Sequence, residues 1–232
     1  MWSIILTPWN ELPSFMKNEE VRRYYSILES KRSALILKRL FDIFLSGILI
    51  IIFLPILLLI FIIIKLDSPG KAIFKQKRVT KDGKVFNILK FRTMVENAES
   101  IGSGVTVKDD PRITKSGKWI RKLRLDEFPQ IFNIFKGELS FVGTRPEIPR
   151  YVDQYTPEMY ATLLLPAGVT SLTSILYKDE SKLLENSENP DETYVKDILP
   201  NKMKYNLKYI EKFGFWYDIK VMIKTVIAVI KK

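Results

Sequence analysis

Residues 43–64 read IFLSGILIIIFLPILLLIFIII, and this segment decides the architecture because none of its side chains is charged. A helix rises about 1.5 Å per residue, so the segment is long enough to cross the hydrocarbon core of a bilayer. We expect no secretory signal peptide here, because the segment starts far into the chain and lacks a small-residue cleavage site. The sequence therefore predicts a helix that enters a membrane.

Pro55 lies near the middle of this segment, where it removes a backbone donor and favours a kink. Both flanks of the segment are basic, and basic flanks favour the cytoplasmic side of a membrane. A hairpin bent at Pro55 would return both flanks to that side, whereas a straight helix would be a single transmembrane anchor. The residues alone leave both topologies open. The flanking cations are Lys31, Arg32, Lys38 and Arg39 on one side and Lys65, Lys71, Lys75, Lys77 and Arg78 on the other.

Composition limits the chemistry that this chain of 232 residues can perform. It contains no Cys and no His, which excludes disulfides, thiolate metal sites, cysteine nucleophiles and Ser-His-Asp triads. The 37 Lys and Arg against 26 Asp and Glu give a net charge of +11, concentrated in residues 65–92 and 108–124. This charge follows the apolar segment and the chain has no recognisable nucleic-acid motif, so we expect anionic lipids or phosphates as partners and no nucleic acid.

Four further segments have a readable pattern. Residues 1–34 form an aromatic lead-in suited to a membrane interface, and Asp82-Gly83 predicts a β-hairpin within 72–90. Apolar residues at helical spacing predict one helix from Leu125 to Gly137 and another from Phe215 to the C-terminus. The lead-in aromatics are Trp2, Trp9, Tyr24 and Tyr25. The last helix has an apolar face of Phe215, Ile219, Met222, Val226 and Ile230, with Asp218, Lys220, Lys224 and Lys231 off that face. A helix that lies on a membrane surface fits this pattern, and a helix docked on the protein core fits it equally.

The stretch most informative about chemistry is residues 121–146, RKLRLDEFPQIFNIFKGELSFVGTRP. Asp126 and Glu127 are adjacent carboxylates at the predicted start of a helix, where negative charge is favourable. Such a pair alone is usually a solvated helix start, and each neighbouring cation alone is usually a surface or lipid contact. Together, a carboxylate pair and clustered cations suit a phosphate-bearing ligand with a bridging divalent metal. The clustered cations are Lys90, Arg92, Arg121, Lys122, Arg124 and Arg145.

Several motifs in register show that the chain resembles the bacterial sugar transferases, the monotopic phosphoglycosyl transferases. The resemblance covers residues 31–232, nearly all but the lead-in. Its motifs are KRLFD (38–42), a membrane segment with a central proline, FKQKRV (74–79), KFRTM (90–94), DPRIT (110–114), GKWIRKLRLDEFPQ (117–130), NIFKGELSFVGTRP (133–146), PAGVT (166–170) and a late YNLKYI (205–210) with DIKVMIKT (218–225).

The resemblance implies transfer of a sugar 1-phosphate from a nucleotide-sugar, usually UDP-linked, to a polyprenyl phosphate such as undecaprenyl phosphate. It implies that Asp126 is the nucleophile of a covalent phosphosugar intermediate, and that Glu127 completes a dyad that holds Mg²⁺. Arg145 matches a nucleotide-contacting arginine, and Lys90, Arg92, Arg121 and Arg124 fall in basic motifs near the site. The product would initiate a glycan such as an exopolysaccharide, an O-antigen or a glycoprotein glycan.

The resemblance also implies an architecture and a location. We expect an α+β, mainly helical fold with one re-entrant N-terminal helix broken at Pro55, interfacial amphipathic helices and a short β-hairpin. The expected division is an interfacial lead-in (1–34), the re-entrant helix (35–66) and a cytoplasmic catalytic domain (67–232). The protein would lie on the cytoplasmic face of the bacterial inner membrane, in contact with its lipids. The sequence leaves open whether it forms a homo-oligomer.

Two departures from the family pattern bear on specificity. Thr144 stands where a proline is usual, which gives GTRP, and PAGVTS replaces a proline-glycine-isoleucine-threonine-glycine motif. These changes leave the carboxylates intact and leave the sugar undetermined. The alternative from another class is a non-catalytic membrane-surface adaptor that binds anionic lipids or acidic partners. An adaptor would explain the charge and the apolar segment but not the ordered motifs around Asp126.

Overall fold

The computed structural model describes residues 6–98, 110–177 and 189–230. Within these ranges the protein is mainly helical, as the sequence predicts, and it has two small two-stranded sheets. The sequence predicts only one of them, the hairpin. The chain divides into two compact units whose segments alternate along the sequence. Unit 1 comprises Met1–Phe44, Lys77–Phe86 and Ile134–Lys232, and unit 2 comprises Leu45–Gln76 and Asn87–Asn133. The predicted domain boundaries at residues 34 and 66 stay a prediction.

The apolar segment forms part of one long helix, α2 (Arg32–Asp67), which follows the shorter α1 (Glu19–Glu29). An 18-residue window of α2 has a mean hydropathy of 3.5, and only 17% of that window is buried. Such a helix is long and apolar enough to associate with a membrane. The backbone stays helical through Pro55. The helix is therefore confirmed, and its return to one side of the membrane remains a prediction.

The predicted hairpin is present as β1 (Ile73–Val79) and β2 (Val85–Phe91). Its turn contains Asp82 at φ 57° and Gly83 at φ 71°. These two residue types tolerate the left-handed conformation that a tight turn between twisted strands requires. Both the hairpin and α2 contribute residues to each unit.

One face of α2 forms the core of unit 2. Leu57, Ile60 and Ile64 recur at helical spacing and are nearly fully buried together with Ala72, Phe91 and Ile120. Ile120 belongs to α3 (Lys115–Lys122), so α3 packs against the buried face of α2. The opposite face of α2 is solvent-exposed and apolar; its residues include Ile51, Ile52, Leu54, Ile56, Leu58, Leu59, Ile62 and Leu66.

Unit 1 contains the remaining elements around a second core, in which α1 packs against α8 (Leu199–Glu211) and the 3-10 segment Met159–Leu164. Strands β3 (Ser140–Val142) and β4 (Gly168–Thr170) pair in parallel, with Ser140 opposite Gly168 and Val142 opposite Thr170. The elements are α4 (Gln130–Lys136, shared with unit 2), β3 (Ser140–Val142), α5 (Pro149–Val152), β4 (Gly168–Thr170), α6 (Leu172–Leu176), α7 (Pro190–Thr193), a π-helical turn (Tyr194–Ile198), α8 (Leu199–Glu211) and α9 (Phe215–Ile230).

Two sequence expectations about unit 1 need correction. Tyr24 and Tyr25, assigned to a membrane interface, are almost fully buried in the protein core instead. The C-terminal helix exists, but Asp218, which the sequence places off its apolar face, is buried all the same. Its carboxylate is buried, accepts a hydrogen bond from Tyr209 at 2.7 Å and pairs with Lys38 at 2.5 Å. A local pattern could not show this, because Lys38 is distant in the sequence.

Candidate active site

The two candidate carboxylates lie in a short turn of their own. Helix α3 ends at Lys122, and Arg124 then adopts a left-handed conformation at φ 58°. The chain continues into the 3-10 segment Leu125–Glu127, which we call the dyad turn. The sequence predicts that a helix starts at Leu125, but α4 begins at Gln130, after Pro129. Asp126 and Glu127 therefore precede α4 instead of forming its first turn.

Apolar neighbours on both sides hold the dyad turn in unit 2. Leu125 and Phe128 pack against the cluster that α2 and α3 form, and the rings of Phe128 and Phe53 lie 5.4 Å apart. Leu125 and Phe128 anchor the backbone on both sides of the carboxylates. Asp126 and Glu127 are consequently half-buried, at the edge of this cluster.

Lys90, near the end of β2, forms an ion pair with Glu127. Its Nζ atom lies 3.2 Å from Glu127 Oε1, and each side chain is about one-fifth exposed. Strand β2 is itself fixed to the start of α4, since Asn133 accepts a hydrogen bond from Leu89 N and donates one to Asn87 O. This places a cation from one motif beside a carboxylate from another, as the sequence predicts.

Burial raises the pKa of Asp126 above its ordinary value, and the neighbouring charge of Glu127 raises it further. Lys90 and Arg121 oppose this rise by favouring the ionised carboxylate. Burial lowers the pKa of Arg121, and the charge of Asp126 partly offsets that effect. The charge of Glu127 thus disfavours the ionised form of Asp126, and the nearby cations only partly offset the rise in its pKa.

The remaining predicted cations of unit 2 differ in their surroundings. Arg121 donates from Nε to Thr93 Oγ1 at 2.7 Å and is half-buried. Arg92 is buried, and its terminal nitrogens donate to the backbone carbonyls of Ser68 and Pro69. Arg124 is exposed, beside the dyad turn. The structure brings Lys90 and Arg121 to the dyad, whereas a substrate contact of Arg92 or Arg124 stays a prediction.

Arg145 belongs to unit 1, where it lies half-buried on the loop between β3 and α5 and lines a small cavity. The next residues fix this loop: Glu147 O accepts a hydrogen bond from Val79 N, and Pro146 O accepts one from Arg78. The side chain of Glu147 is buried and accepts from Tyr194 at 2.5 Å and from Lys202 at 3.3 Å. A contact of Arg145 with a nucleotide stays a prediction.

The sequence profile of the bacterial sugar transferases matches residues 33–232, which is most of the chain. The chain belongs to the bacterial sugar transferase family. The match includes α2, the hairpin, the dyad turn and the loop of Arg145.

Three curated relatives have names that describe one type of reaction. A UDP-N-acetylgalactosamine-undecaprenyl-phosphate N-acetylgalactosaminephosphotransferase of Aeromonas hydrophila is 37% identical and covers 87% of this chain and 45% of that protein. UDP-glucose:undecaprenyl-phosphate glucose-1-phosphate transferases of Klebsiella pneumoniae and Escherichia coli are 35% and 33% identical, covering 83% and 82% of this chain and 40% and 39% of those proteins. The chain thus spans less than half the length of these relatives.

The resemblance noted in the sequence implies Mg²⁺, and the dyad is the candidate site for such an ion. In the described part of the chain, no cluster of three or more acidic side chains could form a complete metal site. Mg²⁺ commonly binds through one or two carboxylates together with substrate phosphates and water. Asp126 and Glu127 are adjacent and half-buried, and they match that donor set. Binding of the metal by these residues stays a proposal.

Sequence reasoning missed two features of the structure around these motifs. The first is the buried contact of Glu147 with Tyr194 and Lys202, which fixes the loop of Arg145. The second is Asp67, whose carboxylate accepts two hydrogen bonds from Ser116. A weak signal existed for the second residue, because Asp67 is one of only two acids in the basic stretch 65–92.

Proposed function

We propose that this protein transfers a sugar 1-phosphate from a nucleotide-sugar, UDP-linked, to a polyprenyl phosphate, undecaprenyl phosphate, and thereby initiates assembly of a glycan. The observation that carries this proposal is the dyad turn with Lys90 and Arg121 on a unit whose core is one face of the apolar helix α2. The names of the relatives in the same family support it.

Asp126 would act as the nucleophile in a reaction of two steps. One carboxylate oxygen forms a bond to the sugar-bearing phosphorus of the donor, and the bond from that phosphorus to the bridging oxygen breaks, so that nucleoside monophosphate leaves. An oxygen of the polyprenyl phosphate then attacks the same phosphorus and releases the carboxylate. Covalent catalysis of this kind divides one difficult transfer into two easier steps. No general base is required, because nucleophile and acceptor are both anions.

The main obstacle is repulsion between anions, and the residues around the dyad address it. Lys90 and Arg121 provide positive charge beside the carboxylates, where a partly buried site makes electrostatic stabilisation stronger than in water. Asp126 and Glu127 would hold Mg²⁺, which neutralises phosphate charge when bound. Arg145 would contact the nucleotide.

Membrane association would bring the two substrates together. The exposed apolar face of α2 would lie in the lipid, with the basic flanks at the cytoplasmic surface of the bacterial inner membrane. We propose that α2 enters and leaves one leaflet, bent at Pro55, which makes the protein monotopic. A soluble donor and a lipid-linked acceptor could then reach the same site.

Purified protein in lipid nanodiscs tests this proposal with a panel of UDP-sugars and undecaprenyl phosphate. We expect release of UMP that depends on Mg²⁺, on one or a few donors and on the acceptor for multiple turnovers. Asp126→Asn is the matched inactive control. Absence of UMP with every donor, combined with binding to anionic vesicles, would instead support a membrane adaptor.

A further inference from the structure

The apolar surface of α2 stops abruptly next to a cluster of polar contacts. Leu66 is 83% exposed, and it is the last residue of the apolar face. The next three residues, Asp67, Ser68 and Pro69, which we call the exit segment, all make hydrogen bonds to other parts of unit 2. The boundary between lipid-compatible and polar surface therefore coincides with these bonds.

Asp67 fixes the start of α3. Its Oδ2 atom accepts from Ser116 N at 2.9 Å and from Ser116 Oγ at 2.8 Å. These bonds lower the pKa of Asp67 and keep it charged at the N-terminus of a helix, where negative charge is favourable. Helix α3 already has an N-cap residue, Thr114, whose Oγ1 atom accepts a hydrogen bond from Gly117 N. Asp67 adds hydrogen bonds that join α3 to the end of α2.

Arg92 fixes the other side of the exit segment. It follows β2 directly and donates from Nη2 to both Ser68 O and Ser68 Oγ at 2.8 Å. Gly70, at φ 103°, lets the chain pass close to this guanidinium, because a Cβ atom there would lie 2.4 Å from Arg92 Nη1. The end of α2 is thus bonded to β2 as well as to α3.

Both elements that the exit segment holds lead directly to the dyad. Helix α3 continues into the dyad turn, and β2 carries Lys90, which pairs with Glu127. We propose that Asp67, through Ser116, is a positioning residue that sets the height of the dyad above the lipid boundary. The proposal rests on the proposed function, and it predicts a larger effect on the lipid-linked acceptor than on the soluble donor.

The reason for this selectivity is geometric. A nucleotide-sugar diffuses in water and can reach the dyad even when the dyad is displaced. The phosphate of a polyprenyl phosphate is held near headgroup depth by its lipid chain, so a displaced dyad cannot meet it in line. A misplacement of about 1 Å can cost about 10²-fold in rate.

Half-reactions separate the two effects. Asp67→Ala in nanodiscs should form the phosphosugar adduct from UDP-sugar alone within about twofold of the wild-type rate. Chase of the adduct with undecaprenyl phosphate should slow by about 10²-fold. Asp67→Asn, which retains one acceptor oxygen, and Ser116→Ala, which retains the backbone bond, should lie in between. A short, water-soluble prenyl phosphate in detergent should reduce the deficit.

A matched control removes a helix cap elsewhere. Asn18 caps α1 through Val21 N in unit 1, and Asn18→Ala should leave both half-reactions unchanged. If Asp67→Ala slowed both half-reactions equally, its role would be general stability and the proposal would be wrong. An unchanged chase would also overturn it.

A second measurement needs no turnover. The chain lacks cysteine, so nitroxide labels can be attached at Leu66→Cys, at the end of α2, and at Leu123→Cys, directly after α3, where both residues are exposed. Pulsed electron paramagnetic resonance should show a narrow distribution of the distance between the two labels. Asp67→Ala should broaden or shift that distribution. An unchanged distribution would contradict the proposal. Wild-type inactivity with every donor would overturn the proposed function alone, since the label distances would still report whether Asp67 holds α3.

Discussion

Lys90 Nζ lies 3.2 Å from Glu127 Oε1, so a cation from the end of a β-strand neutralises one of two adjacent carboxylates. The same lysine lowers the pKa of Asp126, which burial and Glu127 raise. Lys90 thus pairs with Glu127 and also favours the ionised form of Asp126. This arrangement leads to predictions about rate, pH dependence and stability.

Lys90→Met should reduce the transfer rate by about 10²-fold, in the range seen when one electrostatic contact to a transition state is removed. The acid limb of the pH-rate profile should also move to higher pH. Lys90 favours ionised Asp126, so its loss raises the pKa of the nucleophile and the rate declines earlier on acidification. Lys90→Arg keeps the charge and should restore much of the rate. A profile unchanged in shape would contradict this role.

Asp126→Asn should stabilise the protein at neutral pH while it abolishes transfer. The folded-state pKa of Asp126 is raised, so the ionised carboxylate opposes folding above that pKa. The melting temperature of the variant should exceed that of the wild type at neutral pH, and the difference should vanish as acidification protonates Asp126 in both folded and unfolded states. Calorimetry across pH measures this. A destabilised variant at neutral pH would argue against the burial described here.

Gly117→Ala should destabilise unit 2 by about 1–3 kcal/mol, the usual cost of overpacking. A Cβ atom at this position in α3 would lie 2.1 Å from the carbonyl oxygen of Thr93. Gly214 is the control, because a Cβ atom there meets nothing within 4 Å. Denaturant unfolding should separate the two variants clearly. Equal stabilities of the two variants would show that α3 does not pack closely on the backbone of Thr93.

Topology can be tested with single cysteines, because the chain has none of its own. Ser30 and Lys71 are exposed residues that lie before and after the apolar segment. If α2 is re-entrant, neither Ser30→Cys nor Lys71→Cys should react with an impermeant maleimide added outside spheroplasts. Lysed cells provide the positive control. Labelling of one position from outside would establish a spanning helix instead.

The sequence predicts those parts of the fold that depend on local patterns. An uncharged run predicts α2, and Asp82-Gly83 predicts the hairpin, because each signal lies within one element. Pairings between distant residues were not predictable in this way: Asp218 is buried through Lys38, and Asp67 is bonded to Ser116. Similarly, the periodicity of the residues after Leu125 could not show that Pro129 separates the dyad turn from α4.

The candidate site shows the same limit. Motif order brings Asp126 and Lys90 into consideration, and the structure places Lys90 beside Glu127. Arg92 belongs to the same basic motif, yet its terminal nitrogens bind backbone carbonyls at the end of α2. A motif specifies which residues occur together, whereas only packing determines which of them face a ligand and which hold the backbone.

The most direct test of the central claim is the identity of the covalent nucleophile. Wild-type protein given a UDP-sugar and Mg²⁺ without acceptor should gain the mass of one sugar phosphate, located on the peptide that contains Asp126. Addition of undecaprenyl phosphate should remove that mass, and Asp126→Asn should never acquire it, with transfer lowered by several orders of magnitude, as for other lost nucleophiles. An adduct on another residue, or near wild-type transfer by Asp126→Asn, would contradict the mechanism.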